Sequence, residues 1–97
     1  MIITELEPSC LVCTTSLVHS NYSDILYVSF DREMNIFMCG DEVSVALGKP
    51  RLIKLSVMLE KDNTLLQLPE FNCGDSFFRY KKGSAWEKIG MIEQITT

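Results

Sequence analysis

The chain has 97 residues, of which 46% are hydrophobic and 23% are charged, and its net charge is −4 at neutral pH. This size suits a single domain spanning residues 1–97, and the composition argues against intrinsic disorder. The negative charge disfavours nucleic acid as a partner, and no run of about 18 apolar residues predicts a membrane-spanning helix.

The charge is distributed unevenly along the chain. Residues 1–47 contain seven acidic residues and one basic residue, so they carry a charge of −6, whereas residues 48–97 carry +2. Glu5 and Glu7 stand where a signal peptide would need positive charge, which favours a cytoplasmic location. We expect a basic protein to be a better partner than a nucleic acid or a membrane surface.

The N-terminal stretch predicts two strands. Residues 1–6 alternate weakly between apolar and polar side chains and predict an edge strand that ends before Pro8. The run CLVC at 10–13 is rich in strand formers, and residues 14–20 fit either its continuation or one helical turn. Residues 21–24 have the composition of a turn.

The next segment predicts a β-hairpin. ILYVSF at 25–30 and IFMC at 36–39 are strand-like runs, and the short connection DREMN joins them. Gly40 and Asp41 then predict a turn, and residues 43–47 are ambiguous between strand and helix.

The longest run whose apolar spacing suits a helix lies within residues 51–71, RLIKLSVMLEKDNTLLQLPEF. Its first residues are strand-like, and the main helix region is predicted over about residues 56–68. Leu59 and Leu66 fall on the apolar side of this helix, where Asp62 is a polar interruption.

The same region contains two sets of cap signals. Ser56 is a candidate N-cap for a first segment, and Thr64 with Gln67 has the form of a capping box for a second segment. Pro69 ends the pattern. One helix and two short helices therefore both fit the sequence.

The last predicted pair of elements is a hairpin of SFFRY at 76–80 and AWEKI at 85–89, joined by the tight turn KKGS. Its aromatic residues alternate between the two faces, so some belong to the core and others are interface candidates. Residues 91–97 fit a short strand or a frayed end. Together these elements predict an α+β fold, with an antiparallel sheet packed against one main helix region.

The cysteines form an incomplete metal-binding pattern. Cys10 and Cys13 are a C-x-x-C pair that Cys39 and Cys73 could complete into a zinc tetrahedron. In a strand, however, residues i and i+3 point to opposite faces. We therefore expect no metal site and no cofactor, and we expect the cysteines to act as small buried hydrophobes.

His19 is the single histidine of the chain. It could pair with Cys39 or Cys73 in a catalytic Cys–His arrangement, but a lone histidine is far more often a surface residue. The sequence therefore predicts a protein without enzymatic activity.

Four acidic residues flank the predicted hairpin at 25–39. Asp31 and Glu33 lie in its connection, whereas Asp41 and Glu42 follow its second strand. A solvated acidic rim is the usual role of such residues, and paired carboxylates or cation ligands are the alternatives. If the four gather into one patch, they are candidates for binding a basic partner, and Trp86 is an aromatic candidate for the same role.

The order of these features resembles a known family. SCLVCTTSL, the segment FMCGDE at 37–42, RLIKLSVMLEKDNTLLQLPE and FFRYKKGSAWEKI together resemble the small bacterial immunity proteins of family thirty-three, which occur in polymorphic toxin systems and were first catalogued as a domain of unknown function. The resemblance covers about residues 9–89. The family often has a Trp just before the Phe of the second segment, where this chain has Asn35 and Ile36.

The resemblance implies a protein that binds and neutralises a cognate bacterial toxin, by blocking the toxin's active site or its assembly. The acidic composition implies in addition that such a toxin is basic. A small regulatory or ligand-binding module is the alternative function. The two differ in geometry, because an inhibitor needs an exposed and fairly flat surface, whereas a ligand module needs an enclosed pocket of a few hundred Å³.

Overall fold

The computed structural model describes residues 1–89 of the chain. Its strands are β1 (Leu11–Thr15), β2 (Tyr27–Phe30), β3 (Ile36–Cys39), β4 (Pro50–Lys54), β5 (Ser76–Phe78) and β6 (Glu87–Ile89). Its α-helices are α1 (Ser16–His19), α2 (Glu42–Leu47) and α3 (Leu55–Lys61), and 3-10 turns span Ile3–Glu5 and Asn63–Gln67. The strand or frayed end predicted at 91–97 lies outside the described residues.

The strands form one sheet in the order β4-β1-β3-β2-β5-β6. The α+β class is confirmed, but the sheet is mixed, because β1 and β3 are parallel whereas the other neighbours are antiparallel. The parallel pair arises because the chain reverses direction twice between β1 and β3. It reverses first through α1 and the following turn, so β2 runs opposite to β1, and it reverses again in the hairpin from β2 to β3. β3 therefore runs in the direction of β1.

Both predicted hairpins are present. In the first, Tyr27 pairs with Cys39 and Phe30 pairs with Ile36, so β2 begins two residues later than the sequence suggests. In the second, β5 and β6 are antiparallel neighbours. Gly83 lies in the connection between them with a φ of 86°, a left-handed conformation that glycine adopts without strain.

Residues 1–6 form no strand. A 3-10 turn spans Ile3–Glu5, and the Glu5 carboxylate accepts the backbone N–H of Ile2 at 2.7 Å. This turn inserts the Ile3 side chain into the core, where it is 2% exposed. The predicted edge strand was therefore wrong, because a local side-chain cap and burial of one isoleucine replaced strand pairing.

Two ambiguous stretches are helical. Residues 16–19 form α1, and the Thr15 hydroxyl accepts the N–H of Val18 at its start. Residues 42–47 form α2, and the Asp41 carboxylate accepts the N–H of Ser44 at 2.8 Å. In both cases a short polar side chain at the N-cap satisfies a backbone donor that the helix cannot use internally.

The main helix region consists of two segments, α3 and the second 3-10 turn, which meet at Asp62. Asp62 has an extended backbone, with a φ of −149°, and its carboxylate accepts the N–H of Thr64 at 3.0 Å. The N-cap of α3 is Lys54, which makes no capping bond, so the expected cap at Ser56 does not form. Asp62, rather than Thr64, caps the second segment.

The break at Asp62 changes which leucine is buried. Met58 and Leu65 are fully buried, whereas Leu66 is 52% exposed and Leu59 is only partly buried against the core. A continuous helix would place Leu66 on the side of Leu59, but the extended residue and the tighter 3-10 turn rotate Leu65 inward instead. The assignment of Leu66 to the core was therefore wrong.

The core lies between one face of the sheet and α3 with the following turn. Val12, Val28, Met38 and Phe77 point inward from four different strands. At one end of this core, Phe30 stacks on Phe71 with ring centroids 3.8 Å apart and planes inclined by 3°. Among residues 1–89, no helix is long and apolar enough to cross a membrane.

A buried ion pair joins the sheet to the helix layer. The Arg79 guanidinium, on a residue that is 1% exposed, donates to the Asp62 carboxylate at 2.5 Å and to the Ile25 carbonyl at 3.0 Å. It also donates to the Thr64 hydroxyl at 2.6 Å, and that hydroxyl donates in turn to Asp62. The side chain of Trp86 covers the guanidinium, whose central carbon lies 4.2 Å from the ring centroid.

This arrangement predicts a loss of stability at acid pH. Burial alone would raise the pKa of the Asp62 carboxyl, but hydrogen bonds from Thr64 and Arg79, with the charge of Arg79, lower it below its ordinary value. A lowered pKa contributes stability that is present above the unfolded-state pKa of about 3.9 and is lost as the pH falls through the folded-state value. Urea unfolding at pH 6 and at pH 3 should therefore show a smaller free energy at pH 3.

The controls for the pH effect are Asp62→Asn and Asp31→Asn, since Asp31 also has a lowered pKa. Asp62→Asn should reduce the pH dependence between these two conditions, because it removes the carboxyl group that pairs with Arg79, and Asp31→Asn measures the separate contribution of the turn carboxyl group. An unchanged pH dependence in Asp62→Asn would show that the ion pair is not its source.

Candidate partner-binding face

One face of the sheet is covered by the described residues only where α2 lies beside it. Side chains alternate between the faces of a strand, so the neighbours of the core residues point the other way. We call this surface the open face, and its members are Leu11, Cys13, Tyr27, Ser29, Phe37, Cys39, Leu52, Lys54, Ser76, Phe78, Glu87 and Ile89. Leu52 on the edge strand β4 is 63% exposed, Leu11 on β1 is 54% exposed and Phe37 on the inner strand β3 is 38% exposed, so large apolar side chains are exposed on three neighbouring strands.

The strand register brings the members of the open face into rows. One row crosses the whole sheet, and neighbouring residues in it are cross-strand partners: Leu52, Cys13, Phe37, Ser29, Ser76 and Ile89. Directly opposed side chains lie about 5 Å apart, so the first three form a continuous apolar surface. The row becomes polar only at its two serines.

Three adjoining cavities make this surface concave. The first, of about 370 Å³, lies between Tyr27 and α2; the second, of about 240 Å³, shares Cys39 and Val45 with it. The third, of about 280 Å³, shares Cys13 and Phe37 with the second. We call the three together the trough. It crosses β2, β3, β1 and β4, which corresponds to roughly 14 Å at the usual strand spacing.

Aromatic rings continue the apolar surface beyond the trough. Tyr27 stacks with Phe78 at a centroid distance of 6.2 Å, and Phe78 meets Tyr80 edge to face at 5.4 Å. Tyr80 is 77% exposed. The expectation that the aromatic residues of the last hairpin alternate between core and surface is confirmed, because Phe77 is buried, whereas Phe78 lies on the open face and Tyr80 is exposed beside it.

Helix α2 forms the wall at one end of the trough. Gly40 precedes it, and a Cβ at that position would lie 2.8 Å from the Ser44 hydroxyl and 3.1 Å from Ser23. Glycine at this position therefore lets the first turn of α2 and Ser23 pack closely around the end of β3. This placement directs Val45, which is 46% exposed, along the trough.

The structure divides the four predicted acidic residues into two pairs. Asp31 and Glu33 lie in the turn after β2, whereas Asp41 and Glu42 lie beyond the other end of β3. Three residue steps of a strand separate the two ends, which is about 10 Å. The four acidic residues therefore do not gather into the single patch that the sequence suggests. The role of each pair in partner binding stays a prediction.

Asp31 has a structural role in its turn. Its carboxylate accepts the N–H groups of Glu33 at 2.9 Å and Asn35 at 2.8 Å, and the side-chain amide of Asn35 at 2.9 Å. The hydrogen bonds from Asn35, followed by that from Glu33, lower the pKa of Asp31. This carboxylate is largely engaged within its own turn, while Glu33 beside it is exposed.

The second acidic pair lies beside the trough. Asp41 is occupied as the N-cap of α2, but Glu42 is exposed and is one of the residues that line the first cavity. Glu42 forms no salt bridge with any other residue among 1–89. Of the four predicted acids, Glu42 is thus the one whose carboxylate is available at the apolar surface.

Trp86 lies on the opposite side of the sheet from the open face. It is partly buried against the core, where its ring covers Arg79. Its indole N–H is buried and has no hydrogen-bond partner in the part of the chain that the structure describes. Trp86 therefore does not share the surface on which Glu42 lies, because its ring packs around the ion pair, and its role in partner binding stays a prediction.

The cysteines are dispersed. Cys10 packs against the core and Cys13 lines the trough, as the opposite-face argument requires, while Cys73 is exposed. Burial, and for Cys10 also the charge of Glu7, raises the pKa of the Cys10 and Cys39 thiols, which keeps them protonated and weakly reactive. His19 is exposed at the end of α1. Residues 1–89 contain no group of three potential metal ligands, and the absence of metal stays a prediction.

The trough is the feature that sequence reasoning missed. Its signal was present in β3, where all four residues of IFMC are apolar instead of alternating. Such a strand is apolar on both faces, so both faces need a cover. The described residues cover one face, and they cover the other only beside α2.

No family model matches the chain. Searches of curated proteins and of solved structures likewise find no significant match.

Proposed function

We propose that this chain is a small immunity-type protein that acts in the cytoplasm and neutralises a basic cognate toxin by binding it, without catalysis of its own. The observation that carries the proposal is the open face with its trough: an exposed apolar sheet surface with, at one end, a carboxylate that forms no salt bridge within residues 1–89. The identity of the partner as a toxin comes from the family resemblance of residues 9–89.

The composition of the open face supports a protein partner. Contiguous exposed apolar surface on a small domain is costly in water and is typical of interaction sites. Aromatic residues such as Tyr27, Phe78 and Tyr80 are the residue types enriched at protein interfaces. The negative charge of the chain, −4 overall, complements a basic partner and would accelerate encounter.

The alternative function is a ligand-binding module, and a separate cleft is one candidate site for a small ligand. This cleft, of about 440 Å³, lies beside the buried ion pair, and its lining is mostly polar: Val18, Asn21, Ser23, Asp24, Ile25, Lys61, Asp62 and Lys82. Small-molecule sites are mostly apolar with a few polar groups, and they enclose the ligand. The cleft is not apolar, and the apolar cavities of the trough are open to solvent rather than enclosed, so a protein partner on the open face is the better-supported function.

The proposal predicts that a charge in the trough weakens toxin binding. Leu52→Asp places a carboxylate on the open face, and the loss of one buried leucine at an interface, about 1.5–3 kcal/mol, corresponds to an affinity reduction of roughly 10- to 150-fold. The measurement is calorimetry with the toxin encoded beside this gene, after circular dichroism has shown that the variant is folded.

Leu66→Asp is the matched control, because Leu66 has a similar exposure of 52% but lies on the helix side of the sheet. It should bind the toxin like the unmodified protein. If Leu52→Asp and Leu66→Asp bind equally well, the open face is not the interface. If the unmodified protein does not bind the toxin at all, the proposed function fails.

A further inference from the structure

The end of the trough next to α2 has the chemistry of a cation-binding slot. Its walls are apolar or lack a side chain, since they are formed by Tyr27, Cys39, Gly40, Val45 and Ala46. Glu42 is the charged residue of this lining. Lysine and arginine side chains bury their apolar stems along such walls while the charged head stays at a polar group. A groove with apolar walls and a carboxylate at its edge therefore suits a long basic side chain.

The aromatic residues beside the slot favour the same ligand. Tyr27 lies in the wall of the slot, and its ring is held in place by stacking on Phe78. The cross-strand partner of Phe78 is Glu87, on the side of Phe78 away from Tyr27. The aromatic pair thus has an acidic residue on each side, and a cation over a tyrosine face is stabilised by the negative face of the ring.

We infer that this slot receives one lysine or arginine side chain of the protein partner, with its stem between Tyr27 and α2 and its charged head at Glu42. This inference rests on the proposed function for the origin of the side chain, but the binding chemistry of the slot can be tested without the toxin. An apolar side chain would leave the Glu42 carboxylate without a counter-ion, and an acidic one would be repelled by it.

The test uses small probes in place of the partner. The uniformly nitrogen-15-labelled full chain is titrated with n-butylguanidinium and, separately, with n-butylurea, a neutral analogue of the same shape. Amide resonances of Cys39 and Ala46 should shift with n-butylguanidinium, and this probe should bind about fivefold more tightly than n-butylurea, the upper range for an exposed ion pair. Higher salt should reduce the difference.

Two variants separate the slot from general charge attraction. Glu42→Gln should lower the affinity for n-butylguanidinium by about two- to fivefold and leave n-butylurea unchanged. Glu33→Gln removes another exposed acid at the other end of the hairpin and should change neither affinity. Equal binding of both probes, or equal effects of the two variants, would overturn the inference.

Two further results discriminate between the proposals. Shifts at Cys39 and Ala46 that depend on protein concentration in the absence of a probe would mean that a second copy of the chain fills the slot, which would overturn the inference. If the toxin binds but Glu42→Gln binds the cationic probe as well as the unmodified chain does, the slot is wrong and the proposed function stands. If Glu42→Gln weakens binding of n-butylguanidinium as expected but the toxin does not bind the unmodified chain, the slot stands and the proposed function is wrong.

Discussion

Replacing Arg79 with alanine should destabilise the protein by about 3–5 kcal/mol, because the change leaves the Asp62 carboxylate buried without its counter-charge. The side chains of the pair are 0% and 5% exposed, so both charged groups are almost fully removed from water in the folded protein. The Ile25 carbonyl and the Thr64 hydroxyl would lose hydrogen bonds at the same time. Urea unfolding measures the loss, and the fluorescence of Trp86, the single tryptophan, reports on this region.

The matched control is the double variant Arg79→Met with Asp62→Leu. It removes both charges together and fills their space with apolar side chains, so it should be less destabilised than Arg79→Ala alone. It still loses the Asp62 cap of the 3-10 turn, which is worth about 0.5–2 kcal/mol. A loss below about 1 kcal/mol for Arg79→Ala would show that the buried ion pair is not important for stability.

Local signals in the sequence were sufficient to predict most of the strands. IFMC and SFFRY combine strand-forming residues with turn residues at their ends, and both were placed in hairpins that the structure contains. The parallel pairing of β1 with β3 was not predictable in this way. It depends on which side of β3 receives β2, and that is decided by the packing of the whole sheet and not by any local pattern.

The candidate site was predicted only in part. Glu42 was selected from the sequence and lies beside the trough, but Asp41 and Asp31 are engaged in capping and turn hydrogen bonds. Sequence alone does not distinguish a carboxylate that stabilises the backbone from one that is available to a partner. Arg79 was missed for a related reason, because a basic residue between aromatics in FFRY is usually exposed, and only the helix layer supplies the carboxylate that permits its burial.

Because the helix is interrupted at Asp62, alanine substitutions of the adjacent residues Leu65 and Leu66 should have very different effects on the stability of the protein. Leu65→Ala should destabilise the protein by about 2–5 kcal/mol, because Leu65 is 0% exposed and its truncation leaves a cavity between the sheet and the helix layer. Leu66→Ala changes the same residue type in the same 3-10 turn, but Leu66 is 52% exposed, so it should change stability by less than about 0.5 kcal/mol.

The comparison of Leu65 with Leu66 tests the backbone directly. A continuous helix through Asp62 would bury Leu66 together with Leu59, whereas an extended Asp62 followed by a 3-10 turn buries Leu65. Urea unfolding of the two alanine variants measures which leucine contributes to the core, and both variants keep the Asp62 cap and the Arg79 pair. If Leu66→Ala costs more than Leu65→Ala, the helix is continuous and Asp62 does not interrupt it.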